Sequence, residues 1–182
     1  MDSSTWMVDV PLMAALLQAL PDEAALLLVK YAPTREEREH WLEVAAENGH
    51  GEAQYRLYRS LLRDAPTDDN RIRARGWLEK AAANDFGDAQ HTLAKYLITG
   101  DQTLQIAKDV DQARRLWEGA AQNGHYAAMG ELAWRYAKGF GGFPRDPQRA
   151  IVLYNRIADG YAVGLKGLPL NPAMAAERPR ST

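Results

Sequence analysis

Apolar positions along this chain recur at helical spacing, and the whole arrangement then recurs at a longer period. Trp41, Leu42, Val44 and Ala45 fall on one side of a helix, and Trp77, Leu78, Ala81 and Ala82 repeat the pattern further on. The full copies read Trp41-Leu42-Glu43-Val44-Ala45-Ala46-Glu47-Asn48-Gly49, Trp77-Leu78-Glu79-Lys80-Ala81-Ala82-Ala83-Asn84-Asp85 and Leu116-Trp117-Glu118-Gly119-Ala120-Ala121-Gln122-Asn123-Gly124. A weaker fourth copy runs Leu153-Tyr154-Asn155-Arg156-Ile157-Ala158-Asp159-Gly160. From Trp41 to Trp77 to Leu116 to Leu153 the intervals are 36, 39 and 37 residues. A period of this length predicts a stack of supersecondary units, each burying its apolar face on the next.

Each unit resolves into two helices. The copies above form a B helix, stopped by Asn48-Gly49, Asn84-Asp85 or Asn123-Gly124 as at a helix C-cap. An A helix follows at once, as Ala53-Gln54-Tyr55-Arg56-Leu57-Tyr58, Ala89-Gln90-His91-Thr92-Leu93-Ala94 and Ala128-Met129-Gly130-Glu131-Leu132-Ala133. In each, alanine is followed by leucine four residues on, then by Tyr58, Ala94 or Ala133, and then by Leu61, Leu97 or Tyr136. That is one narrow stripe of period near 3.6, built partly from small side chains that let helix axes approach closely. Tyr58 departs from the small-residue rule, so the first pair is expected to be a little wider.

Turn signals close the units at Asp64–Asp69 and at Gly139–Pro147. Asp109 or Asp111, and Asp146 ahead of Pro147, read as N-caps, and Thr34-Arg35-Glu36-Glu37 reads as a capping box. No stretch alternates with period two for long enough to predict a strand. Two further helical segments, Val8–Leu20 and Asp22–Tyr31, precede the repeats and are expected to cover the open face of the first one. The tail holds Pro169, Pro172 and Pro179 with few large apolar residues and is expected to be loose.

These residues resemble the SEL-one-like repeat (SLR) family, relatives of the tetratricopeptide repeats. Its unit runs approximately A-x-x-x-L-G-x-x-Y-x-x-G, then G-V-x-x-D, then K-A-x-x-W-Y-x-K-A-A-x-x-G. Ala128, Leu132, Ala133, Tyr136 and Gly139 match it, followed by Gly141 through Asp146, Arg149-Ala150 and Leu153-Tyr154. A second unit matches at Ala89, Leu93, Ala94, Leu97, Gly100, Asp109, Gln112-Ala113, Leu116-Trp117 and Ala120-Ala121. The first unit is degenerate, because its loop Arg63–Asn70 lacks the glycines. The resemblance implies an all-α fold, a right-handed α-solenoid of antiparallel helix pairs with about three repeats. It divides the chain into capping helices at residues 1–35, a solenoid at 36–162 and a tail at 163–182. Such proteins, mostly bacterial, look like scaffolds, regulators and adaptors, and some resemble immunity proteins that neutralise secreted toxins.

Composition adds limits. The net charge of −2 argues against a generic nucleic-acid binder. The charge is uneven: residues 1–50 hold nine acidic and three basic side chains, and the remainder is basic on balance. With no cysteine, disulfides and thiolate metal sites are excluded. Val8–Leu20 lacks the basic start and small-residue cleavage motif of a signal peptide, and no run is long enough to span a bilayer. A cytoplasmic protein is expected, or an exported one if a leader has been removed.

Candidate chemistry is sparse. His50 and His125 occupy the same repeat position after the B helix and read as turn residues, while His91 lies on an A helix one turn before Lys95. There is no H-E-x-x-H, phosphate-binding loop or dinucleotide fingerprint, so no metal or cofactor is expected. Ser60 is followed three residues later by Arg63, which stays protonated and cannot act as a base. The Gly139–Gly142 cluster is read as the inter-helix loop. The remaining candidate is a surface. With the A helices on the concave side, as the resemblance implies, Tyr55, Arg59, His91, Lys95, Trp134 and Lys138 lie beside the buried stripe and form a plausible protein-binding patch. The alternative for Trp134 is burial against the next helix pair. Arg56, Arg59 and Arg63 form a basic stripe that meets an acidic partner or pairs with Glu52 and solvent. Trp41, Trp77, Trp117 and Tyr154 are expected in the inter-repeat core, and Trp77→Ala is expected to cost about 3–5 kcal/mol. The expected function is a non-catalytic protein-interaction module for a protein or peptide, without nucleic acid. The alternatives are an immunity protein that blocks a toxin and, less in keeping with the sequence, a small-ligand receptor or an enzyme.

Overall fold

The structure, a computed structural model, describes residues 29–30, 32, 34–63 and 65–164. Within these, seven helices follow in order: α1 (Arg35–Glu47), α2 (Gly51–Leu61), α3 (Asp68–Ala83), α4 (Gly87–Thr99), α5 (Val110–Gln122), α6 (Tyr126–Lys138) and α7 (Pro147–Gly164). The sole pairing of extended backbone among the described residues is an isolated bridge between Asp101 and Ile106. The fold is all-α, a helical solenoid. The expected capping segments Val8–Leu20 and Asp22–Tyr31 lie outside the described residues apart from Val29 and Lys30, which are helical. The expected loose tail lies outside them from residue 165 onward. No described helix is long and apolar enough to cross a membrane.

Each helix packs on its neighbour in sequence, most extensively in the pairs α2–α3, α4–α5 and α6–α7. The small-residue stripe explains the closeness of these contacts. Ala53, Ala89 and Ala128 have no exposed surface, nor do Ala45, Ala81 and Ala120 on the B helices. Beyond sequence neighbours, the nearest pairs are α2 with α4 and α4 with α6. The A helices approach one another more closely than the B helices do, and theirs is the inner side of the stack as the resemblance implies.

The B-to-A turns are nearly identical. Gly49, Asp85 and Gly124 adopt left-handed φ values of +92, +57 and +87°. The following residue donates back into the helix, with His50, Phe86 and His125 amides reaching the carbonyls of Ala45, Ala81 and Ala120 at 3.1, 3.1 and 2.9 Å. His50 and His125 then cap the next helix, each accepting a backbone hydrogen bond at Nδ1 from Ala53 and Ala128. The expected caps at Thr34, Asp109 and Asp146 accept from Glu37, Gln112 and Arg149. The loop at Gly139–Pro147 is structural: it delivers Phe143, 4% exposed, between Trp117 and Tyr136.

Stacking depends on a close approach at the start of the A helices. A methyl group on Gly87 would lie 3.0 Å from the His125 ring, and one on Gly51 would lie 2.8 Å from Phe86. Both residues are the N-caps of the next A helix. Gly87→Ala is therefore expected to lower stability by about 1–2 kcal/mol, although alanine favours the helix, because overpacking outweighs propensity here. Denaturant unfolding measures it, and a more stable variant would show that the two units are not in contact.

One expectation about the aromatic core needs correction. Trp41 (6% exposed) and Trp117 (fully buried) are core, and Trp77 is half-buried, touching both the small cluster around α1 and the main cluster. Tyr154, in contrast, is 46% exposed. Aligned on the alanine pairs, Trp41 and Trp77 share a position with Leu116, whereas Trp117 shares the next, inward position with Leu42 and Leu78. Tyr154 follows Trp117's register, but no described element packs beyond α7, so it faces outward beside Ile151 and Val152.

Candidate functional site

On the inner side, between α4 and α6, lies a groove of about 560 Å³ lined by His91, Ala127, Gly130, Glu131, Trp134, Arg135 and Phe140. A change at one repeat position creates it. Tyr55, His91 and Gly130 are equivalent residues on the three A helices. The Tyr55 ring packs against Phe86 and Tyr58, and its hydroxyl bonds the Thr92 hydroxyl at 3.0 Å. The His91 ring lies 5.3 Å from His125 and accepts the Trp117 indole N–H at Nδ1, 3.1 Å away. At Gly130 there is no ring, and an added methyl group would meet nothing within 4 Å.

The walls are aromatic and charged. Trp134, 41% exposed, meets Phe140 edge-on with ring centres 5.2 Å apart. Beneath them Arg135 is 8% exposed, its guanidinium carbon 4.6 Å from the Trp117 ring centre, 5.5 Å from Phe143 and 5.7 Å from Trp134. Its nearest carboxylate, on Glu131, stands 3.5 Å from Nε, and neither Nε nor Nη1 has a hydrogen-bond acceptor. Burial pushes the Arg135 guanidinium below its usual value, with Glu131 opposing.

Indole N–H is a donor only, so Trp117 holds His91 with Nδ1 unprotonated and the proton on Nε2. Burial lowers the His91 pKa, and His125 and Lys95 add to the effect while Glu131 and Asp88 oppose it. A histidine held neutral in the fold but free to protonate when unfolded loses stability as pH falls through its ordinary value. The melting temperature is therefore expected to drop more steeply from about pH 7.5 to about pH 5 in the wild type than in His91→Gln, which keeps an acceptor but does not titrate. Parallel curves would exclude His91 as the group responsible.

Of the six residues expected on the inner surface, His91 and Trp134 line this groove. Lys95 and Lys138 are exposed one turn further along α4 and α6. Tyr55 is half-buried in the contact between successive A helices. Arg59 lies elsewhere, with Arg38, Glu39, Arg56 and Arg63 in a basic groove between α1 and α2, where Arg56 pairs with Glu52 at 2.6 Å. Sequence reasoning missed Arg135, Glu131 and Phe140. The loss of a ring at Gly130, visible once the A helices are aligned, was the available signal. Arg135 occupies the position of Ser60 and Tyr96, where no pattern marks it.

Two other grooves, of about 510 and 580 Å³, lie between B helices. Their charges meet one another. Tyr136 donates to Glu118 at 2.8 Å and accepts from Arg149 at 3.0 Å, while Arg75 pairs with Glu79 at 2.8 Å. Among the described residues, no group of three His, Asp or Glu side chains is placed to hold a metal ion.

No curated protein matches the chain. Among solved structures it is similar to a Sel1 repeat protein from Oxalobacter formigenes, with a TM-score of 0.62 and 21% identity over 75% of this chain and 56% of that one. It is also similar to a protective antigen of uropathogenic Escherichia coli with an SLR fold, with a TM-score of 0.56 and 27% identity over 85% of this chain and 35% of that one. The chain thus spans about half the length of the first and about a third of the second. The family model of the Sel1 repeat matches residues 39–50, 51–86, 87–125 and 127–161, and its boundaries fall at the same B-to-A turns. With most of its length in these four matches, the chain belongs to the Sel1 repeat family.

Proposed function

We propose that this chain is a non-catalytic protein-interaction module that holds a segment of another protein against its inner, A-helix surface. Sel1 repeats typically mediate protein binding. The observation that supports the reading here is the Gly130 groove. It exposes a Trp134–Phe140 pair beside a nearly buried arginine, and aromatic and arginine side chains supply a disproportionate share of interface energy. The reactive side chains around it have structural partners: His91 holds the Trp117 indole, and His125 caps α6 and binds Asp88 at 2.8 Å.

Affinity capture from native host lysate tests the reading, comparing the wild type with a Trp134→Ala, His91→Gln double variant. A stoichiometric partner retained by the wild type and lost from the folded variant supports it. Equal retention by both would move binding to another face. A single stoichiometric partner that proves to be a secreted toxin would favour the immunity role, and several looser partners a scaffold. Turnover of a small molecule that survives the double variant would replace the reading with an enzymatic one.

A further inference from the structure

We propose that the Gly130 groove is a carboxylate-binding subsite. In it an aspartate or glutamate side chain of the bound protein segment enters over Gly130 toward Arg135 and His91, and its apolar neighbour rests on Trp134 and Phe140. This inference rests on the interaction-module reading and adds what the module recognises.

A guanidinium carries five N–H donors, and in a buried position these are normally spent on carboxylates or carbonyls. Here the residue is 8% exposed, Glu131 pairs with it loosely, 3.5 Å from Nε, and Nε and Nη1, both beneath the surface, make no well-formed hydrogen bond. Three aromatic faces hold the cation in place, and the loosely placed Glu131 carboxylate is the one anion paired with it among the described residues. Such a group favours an incoming anion, and a carboxylate matches its planar fork.

His91 keeps its proton on Nε2, so it can donate to the same anion. Lys95 and Lys138 stand exposed one turn along their helices, giving the rim a positive character. Of the two nearby acids, Asp88 is bound to His125, leaving Glu131 as the carboxylate that a ligand would displace. A cationic ligand would instead face Arg135 and both lysines.

The ring that fills this register at Tyr55 and His91 is absent at Gly130, where an added Cβ meets open space. The exposed Trp134–Phe140 edge then offers an apolar seat next to the charge, as an acidic residue flanked by an apolar one requires.

Selection of a displayed random-peptide library on the purified chain, followed by titration of the winning peptides, tests this. Peptides carrying an acidic residue beside an apolar one are expected. Replacing that acid by Asn or Gln should weaken binding roughly tenfold or more, as for a hydrogen bond to a charged group. Glu131→Gln should tighten binding by removing the competing carboxylate, a change that a purely structural role for Glu131 would not produce. Gly130→Tyr should abolish binding while melting no lower than the wild type, since its Cβ is unobstructed and tyrosine already occupies this register in the first unit. Peptides blocked by Gly130→Tyr but indifferent to loss of their acid would overturn the carboxylate subsite and leave the interaction groove standing. Peptides indifferent to Gly130→Tyr, or no binding peptides at all, would overturn both.

Discussion

Trp117→Ala is expected to cost about 3–5 kcal/mol, the largest loss of any single truncation in this fold. The indole is fully buried, in the inward register where the first two units carry Leu42 and Leu78. It fills the space between α4, α5 and α6, packs against Phe143, carries the Arg135 guanidinium on its face and donates its N–H to His91. Alanine would leave a cavity and an arginine without its nearest aromatic support. For a chain of this size the loss corresponds to a fall in melting temperature on the order of 10 °C. A change below about 1 kcal/mol in denaturant unfolding would show that the site collapses freely or that the register is wrong. Trp77→Ala, for which the full core cost was expected, should lie nearer the bottom of that range, because its ring is only half-buried.

Trp134→Ala should do the reverse. Its ring is 41% exposed and contacts chiefly Phe140 and the edge of Arg135, so stability should change by less than about 1 kcal/mol. Partner affinity should fall by roughly 2 kcal/mol or more, the cost typical of truncating an aromatic anchor at an interface centre. Isothermal titration with the captured partner measures this, and circular dichroism shows whether the variant is folded. Unchanged affinity with an intact fold would remove Trp134 from the interface.

The contrast between these tryptophans shows what can be read along the chain. Trp41, Trp77 and Trp117 look alike in sequence, each beside a leucine and ahead of an alanine pair. Only alignment on Ala45-Ala46, Ala81-Ala82 and Ala120-Ala121 shows that Trp117 stands one position off, and only packing shows that this position points inward. Tyr154 has the register of Trp117 and fails to be core because burial needs a neighbour, which periodicity does not supply. Likewise Tyr55, His91, Lys95, Trp134 and Lys138 are all beside the buried stripe, but the groove takes in just His91 and Trp134.

The all-α class, the helix pairs, their period and most of their caps are legible along the chain. These follow from local rules: a 3.6-residue apolar stripe, a polar N-cap and a residue that tolerates positive φ are all written within a few positions of one another. Tertiary structure alone decided where the site lies. A cavity is a missing contact, set by residues 39 apart such as His91 and Gly130. Arg135 gained its significance from Trp117, Trp134 and Phe143 closing over it while Glu131 pairs with it only loosely. Neither property belongs to any one segment, so no local pattern encodes it.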